Sequence, residues 1–328
     1  MKAIAYTEVG AAVDVLRLLD LPTPEPAAGE LRVRLQWSGV NPSDVKSRAG
    51  RRSAVLAFPQ IVPHSDGAGV VDAVGAGVDA TRIGERVWVW NGQWRRAHGT
   101  AAQWIVLPAA QAVRLPASTS GEAGACLGIP AMTALHAVLI GGSVAGKSVL
   151  VAAGAGAVGH YAVQFARALG AAQVIATVSS EAKAAIAIAA GADATINYKT
   201  EDLAARVAAL TGGAGVQRVI ETDAAANMAH NLAGLAPEGD VVVYGSGAAD
   251  FGVPFFPAIS KNVTLRCFMV YNLSAPDRER ALAVLTTLLE RGQVQHQIAQ
   301  RLPLADAARA HELVESGLLV GNVVLDCS

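Results

Sequence analysis

Cysteine is scarce in this sequence: three residues in 328, at Cys126, Cys267 and Cys327, far apart. That spacing excludes a disulfide framework and suits reduced thiols in a cytoplasmic protein. Aromatic residues make up 5% and charged residues 16%, and the net charge is −1. With no basic surplus there is no footprint for nucleic acid. No apolar run reaches the roughly 18 residues of a membrane span. The opening MKAIAYTEVGAAVDV carries Glu8 and Asp14 where a secretion signal needs an unbroken apolar core. Internal repeats and low-complexity linkers are missing too. The seven histidines are scattered, with no metal-ligand spacing. Abundant instead are apolar residues, at 52%, and glycine, at 33 residues. The balance is that of a soluble α/β protein with a large core, and the length makes two domains the first expectation.

The pattern changes along the chain. Residues 1–120 read as short strands broken by proline and glycine: KAIAY, ELRVRLQW, GVVDAV, RVWVW and AAQWIVL. This predicts a β-rich, partly open barrel. From about Glu122, strand-like runs at 148–153, 173–178, 194–198, 217–221 and 240–244 alternate with helical segments at 160–169, 180–190, 202–210 and 226–235. Alternation of this kind predicts a doubly wound parallel sheet. VTLRCF (263–268) is placed to complete it. An amphipathic helix and a last strand, GNVVLDC, follow.

Within KSVLVAAGAGAVGHYAVQFARALG (147–170), Gly154, Gly156 and Gly159 are spaced G-x-G-x-x-G. In so glycine-rich a chain the bare spacing arises by accident about 0.3 times. Context gives it weight: an apolar strand precedes it and a helix follows. Gly154 permits the tight turn, Gly156 lets backbone approach a pyrophosphate, and Gly159 lets helix and strand pack closely. With Ala155, Ala157 and Val158 they form a turn whose helix N-terminus presents free N–H groups to phosphate. The ribose-reading position comes about 20 residues later. It holds Ser179 and Ser180, not a carboxylate, with Lys183 nearby and Tyr198 ending the next strand. Hydroxyls and a cation there favour NADPH over NADH; Glu181 is one residue past the spot. The alternative is that a serine merely caps the following helix while Lys183 is a solvated surface residue.

Several segments, in order and spacing, resemble the medium-chain dehydrogenase/reductase superfamily over essentially the whole chain, and within it the zinc-independent quinone oxidoreductase (zeta-crystallin-like) branch. They are GVNPSDVKSRAG (39–50), PHSDGAGVV (63–71), GERVWV (84–89), GTAAQWIVLP (99–108), ACLGIPAMTALHAV (125–138), the glycine turn, AGADATINYKTEDL (190–203), PEGDVVVYGS (237–246) and RAHELVESGLLVGNVVL (309–325). The resemblance implies a Rossmann domain at 123–264 and a discontinuous GroES-like catalytic domain at 1–122 and 265–328. Where zinc-dependent relatives place a cysteine and a histidine, this chain has Asn41 and Ser65, with Cys126 near the third position. It therefore implies no metal, with Asn41 donating to a developing oxyanion. The competing view of Asn41 is a turn residue before Pro42 that bonds its own backbone. His64 reads as turn-lining, and Asp44 and Asp66 as structural. By the same resemblance Thr133, Asn227, Gly245, Ser246, Phe268, Met269, Val270 and Asn322 line the cofactor groove. Lys46 and Arg52 stand where relatives often have tyrosines. With Trp94 and Arg95 they are expected to border the substrate, or else to form a solvated lid.

The implied activity is NADPH-dependent, zinc-independent reduction of a quinone, a small-molecule electron acceptor. Alternatives are an enone reductase and a non-enzymatic NADPH-binding protein. The apolar stretch 251–272 at the expected sheet edge predicts a homodimer through the nucleotide-binding domain.

Overall fold

The computed structural model describes all 328 residues. The chain forms two compact units, Met1–Pro130 with His296–Ser328, and Ala131–Gln295.

The discontinuous unit is built on a seven-stranded sheet. Its order is Ile298–Pro303, Asn322–Asp326, Glu30–Val40, Asp66–Val74, Arg86–Val89 and Ala112–Arg114, with Trp104–Pro108 also paired to Glu30–Val40. Only the first pair is parallel. Glu30–Val40 alternates as a half-buried strand must: Leu31, Val33 and Leu35 are buried while Arg34 and Gln36 are exposed. Each such apolar side chain contributes about 1.5–3 kcal/mol on burial. Two register shifts against Asp66–Val74 bend the strand, which curls the sheet around its core. The C-terminal helix Ala307–Ser316 ends at Gly317, in the left-handed region at φ 64°. Arg48, at the end of helix Pro42–Arg48, bonds Glu315 of that helix at 2.9 Å.

The contiguous unit carries six parallel strands in the order Ala194–Asn197, Gln173–Val178, Ser148–Val151, Val216–Glu221, Leu235–Val243 and Thr264–Cys267. This is the doubly wound order, reversing beside Ser148–Val151. Strands covered by helices on both faces must be apolar throughout, as Val149–Val151 and Val174–Ala176 are. Arg218 is fully buried among them. It donates to Asp240 at 2.6 and 3.0 Å and to the Val138 carbonyl at 2.7 Å, tying the sheet to helix Met132–Leu139.

The crossings between units differ from the expected 122/123 and 264/265. The first follows Pro130, because the short helix Gly121–Gly124 packs on Glu30–Val40 and Asp66–Val74. The second follows Gln295. Thr264–Cys267 pairs in register with Asp240–Val243 as the sixth parallel strand, and helix Ala275–Glu290 packs on Met132–Leu139. No helix is long and apolar enough to cross a membrane.

Candidate active site

The glycine turn sits between strand Ser148–Val151 and helix Gly159–Ala168. Ala153 opens it in the left-handed region, φ 52°, held by its N–H on Thr177 Oγ1 at 3.1 Å. The Gly154 N–H reaches the Thr177 carbonyl at 3.0 Å. A Cβ on Gly154 would lie 2.5 Å from Ala176 Cβ, and one on Gly159 only 2.1 Å from the Ala153 carbonyl oxygen. Packing alone thus demands glycine at both. At Gly156 a Cβ would approach just Ala153, no closer than 3.2 Å. That side of the turn faces open space. The N–H groups of Ala157 and Val158 find no acceptor within the chain. Glycine-lined space beside unpaired amides and a helix N-terminus is an anion cradle, and a pyrophosphate fits it.

A cavity of about 470 Å³ opens where the parallel strands end, lined by Ala153, Thr177, Tyr198, Glu221, Asp223 and Asn227 among others. Glu221 is the residue that sequence reasoning missed. It is fully buried and accepts from Asn227 Nδ2 (2.9 Å), Asn231 Nδ2 (2.6 Å) and the Asp223 N–H (2.5 Å). Its place at the end of a central parallel strand was the available signal. Of the expected groove residues, Tyr198 and Asn227 reach this cavity; the others lie elsewhere in the unit, except Asn322, which belongs to the discontinuous unit.

Ser180 caps helix Glu181–Ala189, accepting from the Lys183 N–H at 3.3 Å. Ser179 precedes it, half-buried, and the Lys183 ammonium makes no hydrogen bond or ion pair. Capping and an available cation therefore coexist. Gly245 passes close under Thr222, and Ser246 Oγ accepts from the Ala248 N–H at 3.2 Å. Phe268 meets His136 edge-on at 4.6 Å. Met269 is exposed, while Val270 and Thr133 are buried.

In the discontinuous unit, Asn41 caps helix Pro42–Arg48 in a capping box with Asp44, whose Oδ2 accepts from the Asn41 N–H at 2.8 Å. Its Nδ2 donates to Asp66 Oδ2 at 3.0 Å. The same oxygen accepts from the Ile129 N–H at 3.0 Å, and Asp66 Oδ1 has no partner. Burial pushes the Asp44 carboxyl up to about 7 and that of Asp66 well above the usual range. Asn41 is 3% exposed, and cap and buried acid take its oxygen and one of its N–H bonds. This leaves the Asn41 carboxamide one side-chain N–H for the expected oxyanion.

Asn322 is likewise committed: it is buried in its strand, with Nδ2 on the Gln297 carbonyl at 3.1 Å. Lys46 is half-buried and Arg52 exposed, its charge opposing the rise at Asp44. The Arg95 guanidinium stacks over Trp94 at 5.5 Å.

The chain matches the alcohol dehydrogenase GroES-like domain over residues 27–117 and the zinc-binding dehydrogenase family over 157–287. It is 30% identical to the quinone oxidoreductase of Rattus norvegicus over 330 residues, 99% of this chain and 97% of that one. The chain belongs to the quinone oxidoreductase branch of the medium-chain dehydrogenase/reductase superfamily. A 2-haloacrylate reductase from a Burkholderia species is 33% identical, covering 92% of this chain and 91% of that one. Among solved structures, an Escherichia coli quinone oxidoreductase complexed with NADPH superposes with a TM-score of 0.86 at 28% identity, covering 99% of this chain and 100% of that one. An NAD-dependent alcohol dehydrogenase superposes with a TM-score of 0.90 at 32% identity, covering 100% of both. As a member of this branch the chain is an oxidoreductase.

The zinc in the dehydrogenase family's description finds no matching donors here. Zinc takes thiolate, imidazole or carboxylate ligands, three of them in a catalytic site. At the positions that the family resemblance assigns to ligands stand an amide, Asn41, and a hydroxyl, Ser65. The Cys126 thiol is buried, is pushed up by that burial, and donates to the Glu122 carbonyl at 3.3 Å. No group of three or more His, Cys, Asp and Glu side chains is arranged so that it could hold a metal ion.

Proposed function

We propose that this chain reduces quinones with NADPH. The observation that carries the reading is the strand end after the glycine turn: two serines where NAD-binding proteins place a carboxylate, beside a lysine with no partner of its own. NADPH, when bound, supplies hydride from its nicotinamide ring. Gly154, Ala155, Gly156, Ala157, Val158 and Gly159 are assigned to the pyrophosphate, and Ser179, Ser180 and Lys183 to the 2′-phosphate. Tyr198 and Asn227 border the adenosine side through their shared cavity. Gly245, Ser246, Thr133 and Phe268 to Val270 are assigned to the nicotinamide side. Asn41 is the residue proposed to face the acceptor with its remaining N–H. Lys46, Arg52, Trp94 and Arg95 are proposed to favour planar, oxygen-rich acceptors. A quinone is already electron-poor, so positioned hydride and hydrogen-bond donors suffice.

Lys183→Ala should weaken NADPH binding by about 1–2 kcal/mol, the loss of a charge-assisted phosphate contact, and leave NADH unchanged. Ser179→Asp should reverse the preference. Equal titration of wild-type protein by NADH and NADPH would sink the assignment.

An enone reductase is the second reading, and the 2-haloacrylate reductase relative favours it. Such a reaction needs a proton at carbon, and the two raised carboxyls beside Asn41 are the acids at hand. Steady-state rates on a benzoquinone, a naphthoquinone and a linear enone separate the two: faster enone turnover overturns the quinone reading.

We further propose a homodimer and a cytoplasmic setting, the latter on three free thiols. Thr264–Cys267 is an open sheet edge with Leu265 exposed, and Phe255 and Phe256 beside it are 75% and 73% exposed. Phe256→Glu should give a monomer in sedimentation. A monomeric wild type at micromolar concentration would end the dimer proposal.

A further inference from the structure

His64 and His311 lie 247 residues apart, both fully buried, with Nε2 atoms 2.8 Å from each other. His64 sits at φ 76° on the loop before Asp66, and His311 lies in helix Ala307–Ser316. From His64 Nδ1 the contacts continue to Ser38 Oγ (2.9 Å), to Thr100 Oγ1 (2.9 Å), and from Thr100 to the backbone carbonyl of Asp66 (2.6 Å). Burial holds both rings neutral, with the Arg48 charge acting in the same sense at His311.

The protons in this chain have one arrangement. A carbonyl only accepts, so the Thr100 hydroxyl donates to Asp66. Ser38 must then donate to Thr100. His64 must donate from Nδ1 to Ser38. A neutral His64 then has a bare Nε2, so His311 donates from Nε2 and its Nδ1 is bare. That atom is a buried nitrogen without a partner, as this direction requires. Arg48 Nε, a buried donor on a side chain electrostatically coupled to His311, also lacks an acceptor. Arg48 ends the helix that Asn41 caps, and Asp66 holds the Asn41 carboxamide. The contacts thus run from one end of that helix, through the C-terminal helix, back to its other end.

We infer that His311 and His64 are positioning residues, which fix the Asp66–Asn41 pair through a hydrogen-bond chain of single direction. The charged and titratable groups around it are Arg48, Glu315, Asp44, Tyr6 and the Cys327 thiol, which faces the Thr100 carbonyl at 3.9 Å; none of them replaces a link. For catalysis the inference rests on the proposed role of Asn41; for the geometry it does not.

Nitrogen NMR of the wild-type holoenzyme should show His64 as the Nδ1–H tautomer and His311 as the Nε2–H tautomer, neither titrating between about pH 5 and 8. His311→Leu and Ser38→Ala should each shift the Asn41 side-chain amide resonances and lower kcat for quinone about 10-fold, with KM for NADPH unchanged. His311→Gln keeps an N–H donor near Nε2 and should restore most of both signals. Opposite tautomers, or titration near the ordinary histidine range, would overturn the chain. Unmoved Asn41 resonances in both Ser38→Ala and His311→Leu would overturn the positioning role. A wild type inactive on quinones would overturn the functional proposal instead, and the resonances would still decide the inference.

Discussion

Gly159→Ala should lose stability and cofactor together, whereas Gly156→Ala should lose the cofactor alone. The two glycines are three residues apart in one turn, yet their surroundings differ. A Cβ at 159 would stand 2.1 Å from a backbone carbonyl oxygen, which no rotamer relieves. Strand and helix would have to separate, at a cost of about 1–3 kcal/mol. A Cβ at 156 meets nothing closer than 3.2 Å and enters the space assigned to the pyrophosphate. Its effect on the melting of the free protein should stay within about 1 kcal/mol, while NADPH binding falls at least about 10-fold. Thermal melts with and without NADPH, alongside a fluorescence titration, make the comparison. If Gly156→Ala binds NADPH like wild type, the phosphate lies elsewhere.

The second large effect concerns pH. Asp44 titrates near 7 in the folded chain, against 3.8 for its ordinary value. Across that window the folded state holds a proton that the unfolded state has released, so stability falls as pH rises from about 4 to 7. At about 1.4 kcal/mol per unit, the ceiling is roughly 4 kcal/mol. Asp66 acts in the same direction. His64 and His311 act oppositely: their folded values are depressed, so their contribution is complete above about 6.5 and is lost as pH falls. His136 and His160, lowered by burial too, act with them, so the histidines oppose the two acids between about pH 4 and 6.5 and the decline emerges above it. Asp44→Asn keeps an acceptor for the helix cap and removes one acid, so stability should then rise with pH relative to wild type over that interval. Urea midpoints at half-unit steps would show it. A mutant profile parallel to wild type would mean that Asp44 is ionised throughout.

What the sequence disclosed followed from local rules. Gly154 to Gly159 could be placed because strand, turn and helix are contiguous, and each glycine has its own steric task. Ser180 was legible as a cap for the same reason. The second crossing between units was not: the strand at 263–268 could be given to the parallel sheet, but nothing local says that helix Ala275–Glu290 packs on Met132–Leu139 and carries that unit on to Gln295. The pairing of Asn41 with Asp66 was not legible: the two lie 25 residues apart, and only the fold shows that this bond takes one N–H of the amide. The Ser38, His64, Thr100 and His311 chain was invisible for a related reason. Its members come from a strand, two loops and the last helix, so no spacing marks them. Glu221 escaped because its three donors lie on the loop and helix after its strand, where only the fold brings them back.

The interrupted unit has a consequence for synthesis on the ribosome. Its strand Asn322–Asp326 sits between Ile298–Pro303 and Glu30–Val40, and it is made last. Residues 1–130 therefore leave the ribosome with the Trp37–Val40 end of one edge of Glu30–Val40 unpaired, while Trp104–Pro108 covers the Glu30–Arg34 end. They wait in that state while the whole contiguous unit, Ala131–Gln295, is translated and able to fold. At about 5–20 residues per second the wait lasts some tens of seconds at the slow end. Over that time the nascent chain presents a short open strand edge at Trp37–Val40, the period in which it is most open to pairing with the wrong neighbour.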